Sequence, residues 1–423
     1  MHNTLPGDTI QPRATTSKPY VATFGWTYLS RDALRRAEAQ MADKSQGVRD
    51  EIGFLHLHQR YADHFFPGTS VLQTRLRYAL FVPWMYQGLR AKPPKGIVIN
   101  AVRDAERRLV LRLLRRLPDA KEKRGIIGRD SADYVSSQPP SMVYWSALGA
   151  WGILRRKDGL RHYSRADVHR ALRPGKVSRD DDGVPLGAVI EPFNSLPPVP
   201  DDWSSDGEIG FDLNFVERKF FREQWKGLRC ADGTRPLLAQ LALHPLPDIM
   251  SLPACWAEDV CEVAGDQAHP LQRAWAVAAL AGIGRGVYAA LVEQTREQRD
   301  RQPTPTKHRD FLVAVVEEHV EGALRFDLAA VEADVGRLPD TLRAVLEQTA
   351  EWLRSGKRSP EPLRAVYEMA ELDRKRSRAR LPDRGFAQSR RLEWDSDDYP
   401  KASPLHYRWD RVSQMLADLH GQS

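Results

Sequence analysis

The sequence predicts a mainly α-helical protein. Its N-terminal region is multi-helical and carries a hairpin compatible with a winged helix, and its C-terminal region is helical again. Two observations carry this prediction. Apolar residues recur at three- and four-residue spacing along most of the chain. The clearest hairpin text is RRKDGLRHY at 155–163, with Asp158-Gly159 as its turn. Of the 423 residues, 42% are apolar and 28% charged, which suits a soluble chain with buried cores. That composition excludes wholesale disorder, a collagen-like chain and a disulfide scaffold.

Residues 1–22 are polar and read as a flexible arm with no apolar signal core. Ser30 is placed to cap a helix RDALRRAEAQMADK, and a second helical stretch runs through about 48–65. Ser70-x-x-Gln73 has the form of a capping box opening the helix VLQTRLRYALFV, which Pro83 should end or kink. Asn100 is placed to cap AVRDAERRLVLRLLRRL. Its Val102, Leu109, Val110, Leu113, Leu114 and Leu117 share one side, and Arg108, Arg112, Arg115 and Arg116 take the other. A basic loop, KRGIIGRD, precedes MVYWSALGAWGIL, and Ser164 caps a short helix.

Residues 180–212 then hold nine acidic residues, five prolines and no Lys or Arg, the signature of a linker. The expected organisation is an arm at 1–22, a basic helical domain at 23–178, an acidic Pro-rich linker at 179–213 and a helical domain at 214–423. Within that last domain, Asn214-x-x-Glu217 caps NFVERKFFREQWKGL, amphipathic stretches lie at about 306–337 and 340–356, and a basic helix covers 360–380. Residues 381–404 read as irregular, and LHYRWDRVSQMLADLH forms the last helix. The run at 274–292 mimics a membrane span. Its many small residues and Arg285 point instead to a closely packed buried helix, so no membrane partner is expected. Cys230, Cys255 and Cys261 fit neither a paired framework nor a four-ligand zinc pattern, which suits reduced thiols in a bacterial cytoplasm.

The most distinctive text is FGW at Phe24–Trp26, FPGTSVLQTRLRYALFVPW at Phe66–Trp84, IIGRD at Ile126–Asp130, PSMVYWSALGAWGIL at Pro140–Leu154 and YRWDRV at Tyr407–Val412. Together these resemble an uncharacterised bacterial family, a domain of unknown function, over about residues 22–420. The resemblance brings no established activity and no residue roles. It implies a genomic setting beside helicases, phospholipase-D-like nucleases and methyltransferases, in phage-defence or mobile islands. From that come protein partners of a defence-type operon.

Three chemical leads are outweighed by simpler readings. Glu51, His56, His58 and His64 do not show the i, i+4 spacing that places two ligands on one helix face, so structural histidines are expected and no metal. Pro200-Asp201 with Glu217-Arg218-Lys219 spells a nuclease-like PD…ExK. Yet Glu217 lies in helical text, whereas that Mg²⁺ chemistry needs acidic and lysine side chains on adjacent strands. Gly125-x-x-Gly128 has the form of a nucleic-acid clamp and, alone, the form of a turn. Phosphate-loop, nucleophile-elbow, HExxH and CxxC patterns are absent, so no catalytic residue and no cofactor is assigned. Thr69, Ser70 and Arg75, at the predicted start of a helix, form a candidate anion pocket; the plainer expectation pairs Arg75 with Asp63.

The charge pattern is the best lead. The chain carries 49 Arg to 14 Lys and a net charge of +7. Residues 71–130 hold fifteen Lys or Arg against five Asp or Glu, immediately before the acidic block. Arg103, Arg107, Arg108, Arg112, Arg115, Arg116, Lys121, Lys123, Arg124 and Arg129 are the candidate nucleic-acid contacts. Arg suits the role because its planar fork grips phosphate bidentately and stacks on bases. The leading expectation is therefore a non-catalytic nucleic-acid-binding accessory of a multi-gene system. The alternatives are a protein-interaction subunit and, third, a metal-dependent nuclease. The acidic segment is itself able to cover the basic helix in cis.

Overall fold

Over the residues described, the helical periodicity becomes seventeen α-helices and one short hairpin. The computed structural model describes residues 50–117, 123–131, 136–157, 159–173, 191–204, 207–357 and 359–422. The chain divides into Met1–Gly47 and Val48–Ser423, and the described residues all belong to the second unit. The expected arm, the helix capped by Ser30, FGW, Lys121, Asp158 and residues 180–190 lie outside them.

The core is organised by a helix whose sequence is small and apolar on every side. Such a helix has no face suited to water and must be enclosed. The helices before it are α1 (Phe54–Phe65), α2 (Tyr78–Ala91), α3 (Val98–Arg116), α4 (Pro140–Val143), α5 (Trp145–Ala150), α6 (Arg165–Ala171), α7 (Asp201–Ser204), α8 (Phe215–Lys226), α9 (Leu237–Leu243) and α10 (Glu258–Val263). The central helix is α11 (Ala268–Gln298), and 89% of its most apolar window is buried in protein, as the 274–292 text predicted. It pairs with α12 (Lys307–Leu324) and touches α13 (Leu328–Val335), α14 (Asp340–Arg354) and α16 (Gly385–Leu392). Between the last two lies α15 (Arg364–Lys375), and α17 (Trp409–His420) closes the chain against α8 and α9.

Buried ion pairs tie the segment before α2 to α8 and α17. Arg75 grips the Asp418 carboxylate of α17 at 2.9–3.0 Å, and Arg77 meets Glu217 of α8 at 3.0 Å. The hairpin is present, with β1 (Arg156–Lys157) and β2 (Arg161–His162) antiparallel in the register Arg156↔His162 and Lys157↔Arg161. The capping boxes at Ser164/Asp167 and Asn214/Glu217 also form, each with both reciprocal bonds.

Several boundaries differ from expectation. Ser70 N does donate to Gln73 Oε1 at 3.1 Å, yet α2 starts only at Tyr78. The N–H groups of Thr74 and Arg75 are both taken by the Tyr144 hydroxyl, and buried Gln73 holds the carbonyls of Gly68 and Val143. Ser70 and Gln73 thus stabilise a turn rather than open a helix. Pro83 lies inside α2 without ending it. The α3 helix begins at Val98 with Ile97 as its cap, which leaves Asn100 inside the first turn. The stretch expected to be irregular, 381–404, contains α16.

Candidate functional site

The amphipathic pattern of α3 decides which of its arginines reach water. At 100° per residue, Val102, Glu106, Leu109, Val110 and Leu113 lie on one side, and all five are buried. Glu106 makes use of its burial: it accepts the Ser141 N–H at 3.1 Å, while desolvation pushes its carboxyl above the ordinary range. Arg103, Arg107, Arg108 and Arg115 occupy the opposite arc and are exposed. Arg103, Arg107 and Arg108 make no hydrogen bond or ion pair with the described residues. Their span from Arg103 to Arg115 covers about 18 Å of helix axis. Beyond the helix, Arg124 is exposed and Lys123 half-buried, whereas Arg129 is paired with Asp130 at 2.8 Å.

Arg112 departs from the expected role. It sits where α3 meets the segment at 191–213 and is buried at 7% exposure. Its Nε donates to Gly207 O at 2.7 Å and its Nη1 to Trp203 O at 3.2 Å. The Nη2 donates to Asp202 O, and the guanidinium lies 5.3 Å from the Trp203 ring centre. Arg112 therefore holds the protein's own backbone and is corrected out of the nucleic-acid set. Arg116, one turn on, is exposed beside Gly210.

The acidic segment does lie against the basic helix, by apolar anchors and carbonyls more than by opposite charge. Phe193 bridges to Leu154 and packs on Tyr86 and Trp145. Trp203 stacks on Phe81 at 5.3 Å. Ile209, Phe211 and Leu213 then alternate inward, and Glu208 and Asp212 face out. Arg77 supports the same segment through Gly210 O at 2.9 Å. Arg90 adds an ion pair to Glu191. Between these elements lies a groove of about 600 Å³ lined by Arg77, Arg116, Asp201, Asp202, Glu208 and Asp212.

The other predicted residues are placed as follows. The anion pocket is not assembled: Thr69 Oγ1 donates to Phe66 O, no helix starts at Ser70, and Arg75 is neutralised by Asp418. Asp63, the partner expected for Arg75, instead meets Arg408 at 2.7 Å. His56 accepts from Arg60, His64 bonds Gln267, and buried His58 packs on His406. Among the described residues no group of three His, Cys, Asp or Glu is placed to hold a metal ion. The PD…ExK residues do not converge, because Glu217 is buried under Arg77 and Lys219 is exposed elsewhere on α8. Gly125-x-x-Gly128 is a turn pinned through Gly125 O by Thr74 and through Ile127 N by the Tyr78 hydroxyl. In the basic helix expected over 360–380, Arg374 is tied down by Asp50 and Lys375 by Glu51.

Fold and site together define a mainly α-helical protein with an arginine-studded helix flanked by an acidic strap. Residues 21–163, which include that helix, match a family described as a family of unknown function (DUF6361). The matched stretch ends before YRWDRV, short of the 22–420 span the resemblance implied. No curated protein and no solved structure matches the chain.

Proposed function

We propose that the protein binds nucleic acid through the outer arc of α3, with Arg103, Arg107, Arg108 and Arg115 gripping backbone phosphates and Lys123 and Arg124 extending the track. The observation that carries this reading is the exposed arc itself, in which Arg103, Arg107 and Arg108 have no hydrogen-bond or ion-pair partner among the described residues. A helix edge bearing cations over about 18 Å matches about five base-pair steps of a duplex. The acidic strap bounds the footprint: Glu208 and Asp212 would repel phosphate on the Arg116 side, so Arg116 contributes least. Such contacts position a backbone and carry no sequence code, which fits a non-catalytic cytoplasmic accessory working beside the protein partners of a defence-type operon. Fluorescence anisotropy with duplex DNA, single-stranded DNA and RNA at several salt concentrations tests the reading. No binding even at low salt would remove it.

One observation favours the alternative, a protein-interaction subunit. Phe215 is 76% exposed at the start of α8, next to the acidic groove, and suits a basic partner segment with an apolar anchor.

A further inference from the structure

The middle of α11 reads Gly282-Ile283-Gly284-Arg285-Gly286, a charged residue in the long, largely buried central helix. The glycines explain what surrounds it. A Cβ at Gly282 would come 3.0 Å from Pro404 N, and one at Gly284 would come 2.5 Å from Phe54 Cζ. Their absence lets the 403–406 segment and the start of α1 rest against the helix. The first brings His406 to Arg285, and the second brings His58, one turn after Phe54. The two imidazoles meet edge to face with ring centres 4.8 Å apart.

The hydrogen bonding of this cluster is incomplete in one direction. Arg285 Nη1 donates to Ser403 O at 2.9 Å, but its Nε and Nη2 are buried with no partner among the described residues. His406 Nδ1 accepts the Arg408 N–H at 3.2 Å, which in the neutral ring places the proton on Nε2, and Nε2 is buried without an acceptor. His58 Nδ1 is likewise unpartnered. Burial first, and the Arg285 charge among the further causes, lower the pKa of both histidines, so both rings are neutral at pH 7. Two of the nearby acids are already committed, while exposed Asp410 also acts on His406. Asp50 is held by Arg374 and by the N–H groups of Gly53 and Leu55, and Glu51 is held by Lys375. What results is a cluster of unpaired buried nitrogens with no acceptor facing them, one of several in the described residues, here combining an Arg fork with two imidazoles.

We propose that Arg285, with His406 and His58, is a binding site for a phosphate group. The Arg fork offers two parallel N–H bonds to an oxyanion, and the imidazole donor suits a third oxygen that a planar carboxylate lacks. Arg285 and His406 are each partly exposed as residues, although their unpaired donor atoms are buried.

Isothermal titration of the full chain with inorganic phosphate, at constant ionic strength set by chloride, tests this site. The wild type should bind one phosphate in the millimolar range or tighter and show a raised melting temperature. Arg285→Met should lose both effects, and Arg285→Lys should weaken binding by about tenfold because a point charge replaces the fork. The combined Arg103→Gln, Arg107→Gln, Arg108→Gln, Arg115→Gln variant should bind phosphate like the wild type, which separates this site from the α3 arc. If Arg285→Met does not fold, His406→Phe serves in its place. A parallel titration with phenyl phosphate distinguishes free phosphate from a phosphoester, the tighter of the two naming the source. Wild-type protein without phosphate heat, or an Arg285→Met variant that binds like the wild type, would overturn the proposal.

Discussion

Replacing Arg112 by Met probes how the acidic strap is held. The substitution keeps an unbranched apolar stem in the helix and removes three donors from the carbonyls of Asp202, Trp203 and Gly207, along with the contact to Trp203. Hydrogen bonds to a charged group contribute about 1.5–3 kcal/mol each when measured singly. A cation–π contact at a partly exposed site adds about 0.5–1 kcal/mol. The carbonyls belong to half-buried residues, so water replaces part of the loss, and the three bonds act as one unit rather than additively. The expected cost is about 2–4 kcal/mol in urea or thermal unfolding, with faster amide exchange across residues 207–213. Folded Arg112→Met protein should still bind nucleic acid like the wild type, because Arg112 faces the strap. A stability change within about 0.5 kcal/mol, the size expected for an exposed side chain, would refute the strap contacts.

Glu217→Gln removes the buried carboxylate facing Arg77, which keeps only the longer 3.5 Å pair with Asp202, and should cost about 2 kcal/mol or more in denaturant unfolding, whereas exposed Lys219→Ala should be nearly silent. Gly68→Ala places a Cβ 2.7 Å from Ala150 Cβ and 2.8 Å from Trp151 Nε1 at φ +81°. Strain and overpacking together predict a loss of about 2–4 kcal/mol and a broken Trp151–Pro67 hydrogen bond, visible in Trp fluorescence. Burial, then the charges of His406, Arg408 and Arg285, push His58 down to about 3. The unfolded chain then binds more protons below about pH 6.5, so stability present at neutral pH is lost as pH falls towards 3. In phosphate-free buffer, His58→Phe should flatten the slope of unfolding free energy between those limits. An unchanged slope would assign the acid sensitivity to other groups.

Local sequence patterns identified what depends on local structure. The side of α3 that faces water, the two capping boxes and the hairpin all follow from spacing and cap chemistry within a few residues. What the sequence hid depends on distant partners. Ser70 and Gln73 have the form of a helix start, but the Tyr144 hydroxyl, seventy residues away, captures the N–H groups that a helix would need. Arg112 looks equivalent to Arg108 on a helical wheel, and only the return of the 202–207 carbonyls sets it apart. One missed signal was readable: in Glu208-Ile209-Gly210-Phe211-Asp212-Leu213 the apolar residues alternate with Glu208, Gly210 and Asp212, a period of two inside text dominated by its charge. The motif-rich text FPGTS…, IIGRD and PSMVYW proves to be one hydrogen-bonded cluster around Gln73, Thr74 and Tyr144, which makes its distinctiveness structural.

The salt dependence of nucleic-acid affinity tests the central claim most directly. If Arg103, Arg107, Arg108 and Arg115 each neutralise one duplex phosphate, log K should fall against log salt with a slope of about −3.6. Lys123 and Arg124 would steepen that to about −5.4. Each single Arg→Gln change on the arc should reduce the slope by about 0.9, and Arg112→Met should leave it unchanged. A slope near zero, or one that the Arg108→Gln, Arg115→Gln double variant does not alter, would contradict the assignment of α3 as a phosphate-gripping helix.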